Sequence, residues 1–120
     1  MNSFFKRLLG IEEHDQEVGI FESPTDNYVS WEPVKVSPGE TVHLNYHGLL
    51  KNSGAGEIYL HYGFDSWNHN INTLKMARNE QGDFVADVPT GDNREMNFCF
   101  KDEAGNWDNN NGWDWTLHLE

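Results

Sequence analysis

The sequence has few cysteines, few basic residues and no long apolar segment. Cys99 is the single cysteine in 120 residues, which excludes an internal disulfide and a zinc site built from cysteines. Eight Lys and Arg stand against twenty Asp and Glu, which gives a formal net charge of -12. Nucleic-acid backbones and anionic membranes both attract clustered cations, so we expect neither as a partner. No apolar run approaches the length of a transmembrane helix.

The N-terminus also lacks a credible export signal. Only a short apolar run follows Lys6 and Arg7, and Glu12 and Glu13 come next without a small-residue cleavage site. A single cysteine fits a reducing compartment. We therefore predict a cytoplasmic protein.

Residues 1–28 differ in composition from the rest of the chain. Ser3 can cap a short helix that stops at Gly10. The helix would carry one apolar stripe of Phe4, Phe5, Leu8 and Leu9. An acidic linker follows, and no Lys or Arg occurs between Arg7 and Lys35. The stripe suits docking on the chain's own domain or binding a protein partner; the acids beside it disfavour membrane attachment.

From Trp31 onward, apolar residues recur at every second position, which is typical of strands. The segments with this pattern are 31–36, 41–47, 58–62, 73–78, 84–88, 96–101 and 115–119. Turn residues separate them. We therefore predict that residues 29–120 form an all-β domain, an antiparallel immunoglobulin-like β-sandwich, with a short N-terminal helical extension.

The five tryptophans fall into different contexts. Trp31 and Trp115 lie in register within strand patterns, so we expect both in the core. Trp67 and Trp107 lie inside polar loops, where burial is harder to arrange and binding sites are common. Packing within the loops stays open as an alternative for both. Trp113 could enlarge a binding site or cover an edge.

Tryptophan beside Asn and Asp is the chemistry that a sugar requires. The apolar face of a pyranose can lie on an indole, which loses little conformational entropy on binding. Its hydroxyl rim needs neutral donors and acceptors. Two indoles held at an angle would suit a curved glucan, and coplanar ones a flat glucan.

Two motifs together resemble the starch-binding carbohydrate-binding modules of family 25. The first is Glu57–Phe64 followed by Trp67, and the second is Met96–Asp102 followed by Trp107–Gly112. The resemblance covers residues 30–120 and leaves the N-terminal segment outside. These modules usually accompany a large secreted amylase, whereas this sequence shows neither a catalytic domain nor an export signal.

The resemblance implies a non-catalytic β-sandwich that binds α-1,4-glucans such as starch, glycogen and maltooligosaccharides. By matching position, the binding residues are His61, Trp67 and Trp107, with Asn109 and Asn110 as hydrogen-bonding neighbours. The alternating pattern also places His61 on the outward face of its strand. Trp113 is not expected from the family pattern and is only a possible member of the site.

No other chemistry is indicated, so we expect no cofactor, no metal and no catalytic residue. The loop 102–114 has no EF-hand frame, because Asn111 stands where the frame starting at Asn106 needs Gly. His43 and His47 would lie about 13 Å apart along a strand, too far to share a metal. Two alternatives stay open: a protein-interaction sandwich that uses the same aromatic patch, and, with least support, a small glycosidase.

Overall fold

The computed structural model describes residues 19–22 and 27–120. The predicted helix near Ser3, its apolar stripe and the partner surface expected there lie outside the described residues. In chain order the elements are β1 (Gly19–Glu22), β2 (Tyr28–Glu32), β3 (Thr41–His47), α1 (Leu49–Asn52), β4 (Ile58–Phe64), β5 (His69–Lys75), β6 (Ala77–Arg78), β7 (Phe84–Pro89), β8 (Glu95–Asp102), β9 (Trp107–Asp108) and β10 (Trp115–His118).

The strands form two sheets that pack as a sandwich. The first sheet has the order β1-β2-β3-β7-β6, and the second has the order β10-β8-β4-β5, with β9 also paired to β8. The pairings between these strands are antiparallel. The predicted all-β sandwich is therefore confirmed. In the part of the chain that the structure describes, no helix is long and apolar enough to cross a membrane.

The alternating side chains of β3 and β4 build the core, as their sequence period predicts. Val42, Leu44 and Tyr46 of β3 are fully buried, and so are Ile58 and Leu60 of β4. Burying an aliphatic side chain of this size is worth about 1.5–3 kcal/mol. The opposite faces of both strands are thereby turned outward.

Trp31 departs from its predicted place in the core, whereas Trp115 is buried as expected. Trp31 is half-buried and packs against the core from β2. Its ring lies over Gly19 of β1, where an added Cβ would come within 2.0 Å of the indole. The neighbouring strand thus offers bare backbone but no side chain to cover the ring. β1 itself was not predicted, and it extends the first sheet into residues 1–28.

Two predicted strands have different bounds in the structure. The strand predicted over 31–36 runs instead over Tyr28–Glu32, and Val36 makes an isolated bridge with Leu119. The segment predicted as one strand over 73–78 divides at the buried Met76 into β5 of the second sheet and β6 of the first. The chain crosses between the sheets at this point, which the apolar period alone does not reveal.

Candidate functional site

The three residues predicted as a platform lie together on the outward face of the second sheet. The imidazole of His61 stacks on the indole of Trp67, with ring centroids 5.3 Å apart and planes inclined by 21°. The ring of Trp107 lies nearly perpendicular to the same imidazole, with centroids 5.6 Å apart and planes inclined by 81°. His61 therefore contacts both tryptophans. We call these three side chains the aromatic platform.

The two indoles of the platform are strongly inclined. An angle between two planes is at least the difference between the angles that each makes with a third plane. The 81° and 21° measured from His61 therefore set the inclination of Trp67 to Trp107 at 60° or more. Two apolar surfaces in this arrangement fit a ligand that curves around His61, and they do not form one flat surface.

The imidazole of His61 is oriented by the adjacent strand. Its Nδ1 lies 2.8 Å from the hydroxyl oxygen of Thr73 on β5. Its Nε2 has no hydrogen-bond partner among the residues that the structure describes, so it is available to a ligand hydroxyl.

A glycine makes room for Trp67. An added Cβ on Gly63 would come within 2.8 Å of the Trp67 ring, so the indole lies on bare backbone of β4. The turn before it is unusual, because Asp65, Ser66 and Trp67 have φ of 54°, 61° and 65°. Consecutive left-handed residues other than glycine are costly and persist only where the surroundings hold them.

Backbone and side-chain groups at the start of β8, together with Arg94 just before it, hold that turn. The backbone N–H groups of Arg94 and Glu95 donate to Asp65 Oδ1 at 2.9 and 3.1 Å. The N–H of Trp67 donates to Oδ1 of the buried Asn97 at 3.1 Å, and Asn97 Nδ2 donates to the Glu95 carboxylate at 2.8 Å. These contacts fix the direction of the Trp67 side chain.

Trp107 lies on β9 and is 49% exposed. Its strand partner is Lys101 of β8, whose ammonium lies 5.4 Å from the Trp107 ring centre and 5.9 Å from that of Tyr59. The Tyr59 hydroxyl donates to Glu57 at 2.7 Å, and this hydrogen bond raises the pKa of Tyr59. Tyr59 and Lys101 are not among the predicted site residues, although both follow the same outward alternation as His61.

A buried tyrosine connects β9 to the core. The hydroxyl of Tyr46, which is fully buried, donates to Asp108 Oδ2 at 2.7 Å and accepts the N–H of Leu50 at 3.0 Å. Burial and the neighbouring Asp108 carboxylate raise the pKa of Tyr46 well above its usual range, so it stays protonated. This hydrogen bond therefore fixes the position of Asp108, the residue that follows Trp107 in β9.

The two predicted asparagines lie in the loop after β9. Asn109 Oδ1 accepts the N–H of Gly112 at 2.9 Å, and Asn110 Nδ2 donates to the backbone oxygen of Asp114 at 3.0 Å. One polar atom of each side-chain amide therefore stabilises the loop by a hydrogen bond to its backbone. Within the described residues, Asn109 Nδ2 and Asn110 Oδ1 have no hydrogen-bond partner.

Trp113 lies in the same loop and is 83% exposed. Among the described residues it makes no ring contact with the platform. Cys99 of β8 is buried, and this burial, together with the Asp114 and Asp108 charges, raises the pKa of its thiol to about 12. No group of three His, Cys, Asp or Glu side chains in 19–22 and 27–120 is placed to hold a metal ion.

Comparison with known sequences finds matches to part of the sandwich, including part of the aromatic platform. Residues 42–98 match the model of a starch/carbohydrate-binding module of family 53. An alpha-amylase of Clostridium acetobutylicum is 35% identical in an alignment over 86 residues that covers 65% of this chain and 11% of the amylase. The chain thus spans only a small part of that relative's length. No solved structure matches the chain significantly.

The matched segment contains His61 and Trp67 and ends before Trp107. The family whose model matches is 53, and family 25 is not the one found. Both family 25, which the sequence resembles, and family 53 are described as starch-binding modules. This chain is similar to the starch-binding carbohydrate-binding modules.

Proposed function

We propose that this chain is a non-catalytic module that binds α-1,4-glucans, namely starch, glycogen and maltooligosaccharides, by stacking sugar rings on the aromatic platform. The observation that carries the proposal is the inclination of 60° or more between the indoles of Trp67 and Trp107 around His61. An α-1,4-linked chain curves, and successive sugar faces turn with it. A β-1,4-linked chain is flat and would meet only one of the two indoles.

The polar groups around the platform support a neutral ligand. His61 Nε2, Asn109 Nδ2 and Asn110 Oδ1 have no partner within the described part of the chain, so they can bond to hydroxyl groups. Lys101 beside Trp107 adds a donor that needs no anionic ligand. The match to a starch/carbohydrate-binding module points to the same ligand class, whichever family number applies.

The acidic residues near the platform have structural partners, which supports a binding role without catalysis. Asp65 accepts two backbone N–H groups, and Asp108 accepts the Tyr46 hydroxyl. Glycoside hydrolysis needs two carboxyl groups set across a scissile bond and free to exchange protons. We therefore expect no release of reducing sugar from maltooligosaccharides by the pure protein.

Native affinity electrophoresis tests the proposal. Gels that contain glycogen or amylose should retard the protein, and gels with a soluble cellulose derivative should not. Trp67→Ala and Trp107→Ala should each weaken retardation roughly tenfold or more, as expected for central aromatic anchors. Unchanged mobility of the wild type in glycogen and amylose would refute the proposal.

A pair of histidines gives a matched control. His61→Ala should lower glucan affinity about threefold, because it removes a stacked ring worth about 0.5–1.5 kcal/mol. His43→Ala changes an outward histidine of the first sheet, and its retardation should equal that of the wild type. Equal losses in both variants would mean that the histidine effect is not local to the platform.

We further propose that the module works in the cytoplasm and that residues 1–28 recruit a protein partner. The apolar stripe of the predicted helix motivates this proposal. Deletion of residues 1–18 keeps β1, which begins at Gly19, so glucan retardation should persist while a partner is lost from pull-downs. Cell fractionation tests the compartment. Recovery of the same partner by the truncated chain would contradict the proposal.

A further inference from the structure

Trp113 is the most exposed large apolar side chain in residues 27–120. It is 83% exposed, whereas the next values are 55% for Ile71 and 51% for Leu49. An indole is large enough that most of its surface is normally withdrawn from water. The platform does not account for this exposure, because no ring contact joins Trp113 to it within the described residues.

The loop that carries Trp113 is held in a defined conformation. Asn110, Asn111 and Asp114 have φ of 56°, 56° and 58°, and the N–H groups of Asp114 and Trp113 donate to the carbonyls of Asn109 and Asn110 at 2.7 and 3.1 Å. The Asn110 side chain closes the loop through the backbone oxygen of Asp114. A ring presented on such a loop loses little entropy when a ligand binds it.

The same loop is anchored on the face that bears the platform. The loop joins β9 to β10, and both strands pair with β8 on either side of Cys99, at Phe100 and Phe98. Cys99 points outward from β8, and its direct partner across the sheet is His61 of β4. Trp113 therefore belongs to the platform's side of the molecule while standing apart from its three rings.

From these observations we infer that Trp113 is a second, separate glucan contact, which stacks on a segment of polysaccharide other than the one held by the platform. The inference rests on the proposed function. The surroundings disfavour an anionic ligand and suit a neutral sugar: Asn110 and Asn111 lie in the same loop, the carboxylate of Asp114 follows Trp113, and residues 102–120 contain no Lys or Arg to attract an anion. A second contact on the same face would make the module prefer polymers to short oligosaccharides, since both contacts are used only when chains or turns lie side by side.

The test compares a short ligand with a polymer. Affinities of the wild type, Trp113→Ala, Trp113→Phe and Trp107→Ala are measured for maltotriose by calorimetry and for glycogen by affinity electrophoresis. Trp113→Ala should weaken glycogen binding about fivefold more than it weakens maltotriose binding, because avidity is lost. Trp113→Phe should restore most of the difference, and Trp107→Ala should weaken both ligands alike.

Two results would overturn the inference while leaving the proposed function intact. Glycogen retardation of Trp113→Ala equal to the wild type would show that Trp113 touches no glucan. Equal losses for maltotriose and glycogen would place Trp113 in the platform itself. A wild type that binds neither ligand would instead refute the proposed function, and the second contact with it.

Discussion

The outward faces of the two sheets use the same kinds of residue in opposite ways. On the first sheet, His47 Nδ1 lies 2.5 Å from Asp83, and its ring stacks on Tyr28 at 4.7 Å and 6°. On the second sheet, His61 meets a neutral hydroxyl and stacks on Trp67. The first face pairs its histidines with carboxylates, whereas the second pairs His61 with a neutral hydroxyl and leaves its Nε2 without a partner among the described residues. Exposed aromatics alone therefore do not define the site.

Asp83 is the centre of the first face. Its buried carboxylate accepts from Tyr28 and Asn45 at 3.3 and 3.1 Å, in addition to His47. His43 forms a similar pair with Asp87 on the same face. Because these groups bond to one another, we regard the first face as structural and the second as functional.

The largest expected effect comes from Asp83→Ala. Three donors lose a buried acceptor, which should lower the free energy of unfolding by about 2–3 kcal/mol. Urea denaturation measures this change. Affinity electrophoresis at a temperature where the variant stays folded should show unchanged glucan retardation. Weakened retardation by the folded variant would contradict the division between the two faces.

Gly63→Ala should weaken glucan binding and leave stability nearly unchanged, which is the opposite of the result expected for Asp83→Ala. The added Cβ would lie 2.8 Å from the Trp67 ring and 3.1 Å from Ile71, so the indole must move off β4. We expect glucan affinity to fall about tenfold, equivalent to ~1.4 kcal/mol, with only a small change in unfolding free energy. Calorimetry with maltooligosaccharides measures the affinity.

Gly56→Ala is the matched control for that substitution. Its added Cβ would meet only the carboxylate of Glu103 at 3.0 Å, and a flexible side chain can move aside. Affinity should stay at the wild-type value. A wild-type affinity in Gly63→Ala as well would show that the position of Trp67 is not critical to binding.

Tyr46→Phe should change both properties, because Tyr46 joins the core to β9. The variant removes the donor to Asp108 and the acceptor of the Leu50 N–H. We expect a loss of about 1–2 kcal/mol in unfolding free energy and a loss of roughly twofold in glucan affinity as Trp107 becomes less ordered. Affinity equal to the wild type despite the stability loss would show that Asp108 does not position Trp107.

Much of this arrangement could be predicted from the alternation of residues. The pattern along β4 placed Ile58 and Leu60 inward and His61 outward, and the structure agrees. Trp67 and Trp107 stand out because the sequence around them is polar, although Trp107 lies on the short strand β9. Local sequence suffices for such features, since a strand turns alternate side chains to opposite faces.

The remaining features depend on contacts between distant segments. The inclination of the indoles follows from the space above Gly63, the left-handed turn before Trp67 and the anchor at Asn97, none of which has a sequence period. Trp31 was expected in the core and is half-buried, because its neighbour across the sheet is Gly19. Such outcomes depend on which strands pair, and the alternation within one strand does not determine the pairing.

The smallest expected effect concerns the loop that leads to Trp107. Asp102 accepts hydrogen bonds from the side chain and N–H of Asn106 and from the N–H of Ala104, and these bonds lower its pKa from the usual value of 3.8. A depressed pKa means that the carboxylate form stabilises the fold above its unfolded pKa. This contribution disappears as pH falls through the folded pKa.

Asp102→Asn should therefore be slightly less stable than the wild type at neutral pH and nearly equal to it at strong acid. Thermal unfolding followed from pH 7 to pH 3 measures the difference, with Glu80→Gln as a control at an exposed carboxylate that has no hydrogen bond among the described residues. A stability difference that stays constant from pH 7 to pH 3 would mean that the contribution of Asp102 does not depend on its negative charge. Because the loop only leads to Trp107, glucan affinity at pH 7 should change by less than about twofold.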